Sequence, residues 1–143
     1  MDSQTQAQLD EALLNAATLG SITEIHSLLD RHADINALDF AYNYTPLHVA
    51  SLKGHHQCIG ILVDRRADIN ALDIDNYTPL HLASMDGHHQ CIEALVDRHA
   101  DINALDIDHS TPLHAASSSG HHQCIEALVD RHADINALDI SHS

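Results

Sequence analysis

Fifteen histidines and three cysteines in 143 residues pose a metal question at once. His55 and Cys58, His88 and Cys91, and His121 and Cys124 each stand three residues apart. On a helix that spacing sets two ligands on one face, which is the beginning of a zinc site. No segment offers four convergent ligands, and the adjacent His-His pairs suit only adventitious binding. The same residues could be read as a Cys-His nucleophile and base. A reactive thiol needs an exposed, electropositive setting, and here 6 basic residues stand against 21 acidic ones, a formal net charge of −15. No Gly-rich phosphate loop and no His-Glu-x-x-His pattern is present. We therefore assign no catalytic residue, no metal ligand and no cofactor, and keep a His/Cys metal-binding protein as the lesser alternative.

The histidines belong to a larger order. Thr45-Pro46-Leu47-His48, Thr78-Pro79-Leu80-His81 and Thr111-Pro112-Leu113-His114 follow one another at 33 residues, and a fixed period of this size marks a repeat protein. Each threonine can cap a helix, each proline fits the first helical position, and each histidine stands where a capping box has Glu or Gln. Gly87 to Ile107 matches Gly120 to Ile140 at every position, and Gly54 to Ile74 differs from them only at Gly60, Ile61 and Arg66. Each unit reads as a short helix from its threonine to about Met85, a turn at Gly87 and a second helix from about His89. Ile92, Leu95 and Val96 lie at helical spacing in that second helix. An extended segment, Ala100 to Asp106, then leads into a turn at Asp108-His109. The first unit is weaker: Leu13, Ala16 and Gly20 align with Leu47, Ala50 and Gly54, Glu11 to Leu14 replace the Thr-Pro-Leu-His stretch, and one extra residue falls within Phe40 to Tyr44. A polar leader, Asp2 to Gln8, suits a unit that closes the end of a stack.

Composition sets the bounds. Hydrophobic residues are 44% and aromatics 3%, with no Trp, so the core is built from Leu, Ile, Val and Ala. No apolar run approaches the ~18 residues of a membrane span, and Met1 to Gln8 lacks the features of a signal peptide. Cys58, Cys91 and Cys124 occupy equivalent positions on helices expected roughly 8–10 Å apart, beyond the ~7 Å that a disulfide allows. Reduced core thiols imply an intracellular, cytoplasmic setting. The acidic field excludes nucleic acid and anionic membrane surfaces and favours a protein partner with a basic patch.

Thr78-Pro79-Leu80-His81-Leu82-Ala83, Gly87-His88 and Ala100-Asp101-Ile102-Asn103-Ala104 resemble the ankyrin repeat family, over roughly residues 9 to 140. The resemblance implies an all-α repeat solenoid, a right-handed stack of ankyrin-type helix pairs with β-hairpin finger loops. A single domain, 1–143, would comprise an N-terminal capping unit, 1–39, and units 40–73, 74–106 and 107–143. It further implies a non-enzymatic protein-protein interaction module that binds through finger loops and first helices. Against the family pattern, Cys91 takes a core isoleucine's place, and His88 is the Gly-His histidine that bonds loop backbone. The glycine that ends the second helix is replaced by His32, Arg66, His99 and His132, and the finger glycine by Asn43, Asn76 and His109. Both sets are expected in the left-handed conformation, which Asn and His tolerate better than most residues.

Near-identical units leave few places for information. The differences fall on Phe40, Tyr42, Tyr44, Leu52 and Lys53, on Ile74, Tyr77, Met85 and Asp86, and on Ile107, Ser110, Ser118 and Ser119. With Asp75 and Asp108 these are the expected partner-binding residues, the aromatics being the usual anchors. Asp73, Asp75, Asp101, Asp106 and Asp108 read either as solvated turn residues or as a ridge that steers basic partners. Asn36, Asn70, Asn103 and Asn136 are expected to brace turns through backbone bonds. The near-identity also fits an engineered or structural repeat scaffold without a native ligand. Finally, Cys124, Ala127, Leu128 and Val129 carry no polar capping substitutions, so an uncovered apolar strip and self-association through it are expected.

Overall fold

A computed structural model describes residues 4–136; the expected outer ends of the first and fourth units, 1–3 and 137–143, lie outside the described residues. Within them are eight α-helices and no strand. They are α1 (Gln6–Leu19), α2 (Ile22–Asp30), α3 (Pro46–Lys53), α4 (His56–Asp64), α5 (Pro79–Met85), α6 (His89–Val96), α7 (Pro112–Ser118) and α8 (His122–Asp130).

The start signals act as their chemistry dictates. Thr45 and Thr78 each accept the N–H three residues on, His48 and His81, at 3.2 Å, and those rings accept the threonine N–H in return. Proline opens α3, α5 and α7 at the position where an N–H would have had no partner. The first helix departs from expectation. Thr5 and Gln8 form a capping box of their own, so the helix begins at Gln6 and the polar leader already contains its first turn.

The helices stack in two rows. α1, α3, α5 and α7 pack successively, as do α2, α4, α6 and α8, and each pair also packs within itself. Equivalent positions make the core: Leu13, Leu47, Leu80 and Leu113 in the first row, Ile25, Ile59 and Ile92 in the second, all buried. Full burial of such a side chain is worth about 1.5–3 kcal/mol. Ala50, Ala83 and Ala116 are buried between first-row helices, where a small side chain lets neighbours approach. Cys58, Cys91 and Cys124 are buried free thiols. Burial pushes Cys91 up to about 12, and Cys124 to about 11, so both stay protonated and serve as small apolar fillers.

In the fourth pair α8 is complete, and its Cys124, Ala127 and Leu128 are buried where it packs on α6 and α7. The expected uncovered strip therefore shrinks to Val129, at 37% exposure, because the other three face inward.

The residues replacing glycine do lie at positive φ: His32, Arg66, His99 and His132 at 71° to 78°, and Asn43, Asn76 and His109 at 59° to 64°. The fingers differ from the expected β-hairpins. Asp39 N–H to Tyr44 O (3.0 Å), Asp73 N–H to Tyr77 O (3.1 Å) and Asp106 N–H to Ser110 O (3.0 Å) close each turn. The same aspartates' side chains take the amides that a strand ladder would use, Tyr42 and Tyr44, Asp75 and Tyr77, Asp108 and Ser110, at 2.8–3.1 Å. The result is a tight, carboxylate-centred loop.

Candidate functional site

Most of the polar residues that invited chemistry are struts. Thr45 N–H points at His48 Nδ1 (3.1 Å), which fixes the tautomer, so Nε2–H donates to Tyr77 O of the next finger at 2.8 Å. His81 repeats this with Thr78 and Ser110 O, at 2.9 Å. His55, His88 and His121 reach back instead, Nε2 lying 2.9–3.0 Å from the carbonyls of Thr18, Leu52 and Met85. Their rings sit so close over Gly20, Gly54 and Gly87 that an added Cβ would lie within 3 Å of the ring. Those glycines are thus required for space as well as for positive φ. The asparagine ladder extends further than expected: Asn36, Asn70 and Asn103 accept the N–H of Asp68, Asp101 and Asp134 in the following unit, each at 2.9 Å. At the ladder's foot Asp10 of α1 does the same for Asp34 N–H, at 2.7 Å, so Asp10 faces the finger rather than water. Arg65, Arg98 and Arg131 pair with Asp30, Asp64 and Asp97 one unit back; these partners are largely exposed, so each pair is worth about 0–1 kcal/mol. Among the described residues no group of three or more His, Cys, Asp or Glu side chains could hold a metal ion.

With the internal work assigned, the outward side chains stand out. Phe40 is fully exposed, and Tyr42, Ile74, Asp75, Ile107 and Asp108 are exposed beside it on successive fingers. The fingers are joined edge to edge by Ile74 N–H to Tyr42 O and Ile107 N–H to Asp75 O, both 3.0 Å. Lys53, Asp86, Ser118 and Ser119 form a second exposed row at the far ends of α3, α5 and α7, separated from the fingers by the length of a helix, about 12 Å for eight residues. Tyr44, Leu52, Tyr77, Met85 and Ser110 are half-buried. Tyr44 stacks on Tyr42 (5.2 Å between ring centroids) and on His48 (5.7 Å), and Tyr77 tilts against His81 at 5.7 Å. These two tyrosines roof the histidine struts, whereas Phe40 and Tyr42 face out. Variation at Tyr77, Ser110, Leu52 and Met85 has a simple reason: a histidine reads their backbone carbonyl, and any side chain supplies one.

Reading the differences between units missed what the units share. Leu38, Leu72 and Leu105 are about half exposed, and with Phe40, Ile74 and Ile107 they flank a buried or half-buried aspartate in a Leu-Asp-apolar triplet. Alternation around an inward Asp was the available signal. The reading also missed a groove of about 820 Å³ between α1 and the first finger. Its walls include Glu11, Leu14, Leu38 and Val49, none of which is among the expected partner-binding residues; Phe40 alone of those lies on it.

The family model described as Ankyrin repeats (3 copies) matches residues 61–139, more than half of the chain, and another described as Ankyrin repeats (many copies) matches residues 28–83. The chain is 46% identical over 55 residues to oxysterol-binding protein-related protein 1 of Homo sapiens, and 43% identical over 56 residues to the proteins of that name in Rattus norvegicus and Mus musculus. The shared stretch is 37–38% of this chain and 6% of each relative. Ankyrin repeats are generally protein-protein interaction modules, and no helix among the described residues is long and apolar enough to cross a membrane.

Proposed function

Because the chain belongs to the ankyrin repeat family, we propose that it is a non-enzymatic interaction module whose finger edge, with the first-row helices behind it, holds a protein partner bearing a basic patch. One observation carries this reading. No buried side-chain N or O among the described residues lacks a hydrogen-bond partner, so the polar chemistry is used internally, while the finger's apolar side chains have no internal use. Exposed apolar groups contiguous along an edge are typical of a contact surface, and Asp75 and Asp108 among them suit a cationic rim. The protonated, buried thiols are compatible with a cytoplasmic setting.

The test uses a partner captured on the full chain and the variant Tyr42→Ala/Ile74→Ala/Ile107→Ala. Each anchor is expected to contribute ~1–2 kcal/mol, and affinity should also fall as salt screens the acidic edge. A saturable partner that binds the variant as tightly as the parent would overturn the reading. The identity of Gly87–Ile107 with Gly120–Ile140 favours one other reading, a repeat scaffold without a native ligand; it expects no saturable partner at all.

A further inference from the structure

The groove between α1 and the first finger lies in the unit that breaks the repeat. In the second and third units, His48 and His81 reach from the first helix to the next finger's carbonyl. The first unit has Leu14 at that place, which has no donor to offer, and the space beside it is about 820 Å³. One wall is apolar, Ala7 and Leu14 of α1 with Val49 of α3. The facing wall is the finger, with Leu38 half exposed and Phe40 wholly so. Four carboxylates lie on the lining, those of Asp10, Glu11, Asp34 and Asp39, and no lysine or arginine does. Asp10, Asp34 and Asp39 each spend one oxygen on backbone amides and keep the other; Glu11 is exposed.

We infer that this groove takes an extended segment of a partner protein in which a bulky apolar side chain stands next to a lysine or arginine. The inference rests on the interaction-module reading and names the partner's chemistry at one end of the surface. The apolar side chain fills the space between Leu14 and Phe40, and the cation meets carboxylates on both walls. A segment rather than a small amine is favoured because Phe40 on the groove belongs to the exposed finger edge, which continues through the Tyr42–Ile74 backbone bond to the next finger and which an extended chain can follow. Phosphate-bearing ligands meet only like charge there. In the second and third units a histidine ring crosses from the first helix to the next finger, and neither crossing lines the groove.

Short random peptides displayed and selected on the full chain test this. Selected sequences should pair Phe, Trp or Leu with Lys or Arg, and the best of them should shift amide signals in residues 7–18 and 34–40. Glu11→Lys, which reverses one carboxylate, and Asn15→Trp, which fills the groove from an exposed position, should each weaken that peptide about tenfold, while Ile107→Ala leaves it unchanged. Far-ultraviolet circular dichroism checks that both variants keep their helices. Peptides without a cation, or binding indifferent to Glu11→Lys and Asn15→Trp with shifts on the second and third fingers, would overturn the inference and leave the finger reading standing. A selection that yields no binder would overturn it too. The finger reading fails separately, through a natural partner indifferent to the triple variant above, none of whose positions lines the groove.

Discussion

At His99 a branched ring occupies backbone that suits glycine, φ 71°. A side chain in the left-handed region costs about 1–2 kcal/mol, and glycine avoids most of that. His99→Gly should therefore raise unfolding stability by about 1 kcal/mol. His32→Gly, two units away, should add to it, because distant sites are nearly independent. Melting curves of the single and double variants check this; no gain would mean that the histidine side chain makes a compensating contact. Asn70 offers the opposite experiment. Its side-chain oxygen takes Asp101 N–H, so Asn70→Ala should cost about 1 kcal/mol and speed hydrogen exchange at the Asp101 amide, with Asp134 still protected. Both backbone outliers and bracing asparagines were legible in the sequence, because tolerance of positive φ and a taste for turns belong to the residue itself. The asparagine's partner, 31 residues on, was not legible, nor was the burial of Asp73 and Asp106 at 6% and 8%. Read as turn residues or as a charged ridge, they instead hold finger amides.

Elements were legible where their ends carry local chemistry. Thr-Pro starts and glycine stops placed α3 to α8 to within a residue or two, while α1 started early because Thr5 and Gln8 hid a capping box in a polar stretch. The expected hairpin fingers show no strand among the described residues, and nothing in the pattern says that a carboxylate will claim the strand amides. The links between elements predict a pH response. Burial lowers the pKa of His48 and of His81 from the usual value, outweighing the raising influence of the Tyr77 or Ser110 carbonyl and of nearby Asp73, Asp39, Asp106 and Asp101. A folded pKa below the unfolded value means that the unfolded chain takes up protons first as pH falls. The two struts' contribution is full above the unfolded value, about 6.5, and drains away below it. Stability should therefore decline from pH 7 toward 5.5. Replacing both histidines with Gln should lower stability at pH 7 and flatten the slope; an unchanged slope in that variant would assign the response to other groups.

Across the described residues, side-chain hydrogen bonds between units span 29 to 39 residues of sequence, as from His48 to Tyr77 and from His26 to Arg65, so each unit touches only its neighbours. Stability is then close to a sum of unit and interface terms. Leu113→Ala, which empties a buried site in α7, should cost about 2–5 kcal/mol and open amides in α7 and α8 while α1 and α2 keep their protection; equal loss at both ends would refute neighbour-only coupling. This scale also explains why the groove was illegible. It lies between the one helix that breaks the repeat and a finger two elements later, and only their placement creates it. The same neighbour-only wiring has a mechanical meaning. Among the described residues no tie runs from first unit to last that would make the chain, pulled by its two ends, yield all at once. Load passes through one histidine, asparagine and arginine set at a time, so extension should come in separate steps. Each step frees a 33-residue unit, on the order of 100 Å of slack, and the sawtooth of a stretching trace would count the units one by one.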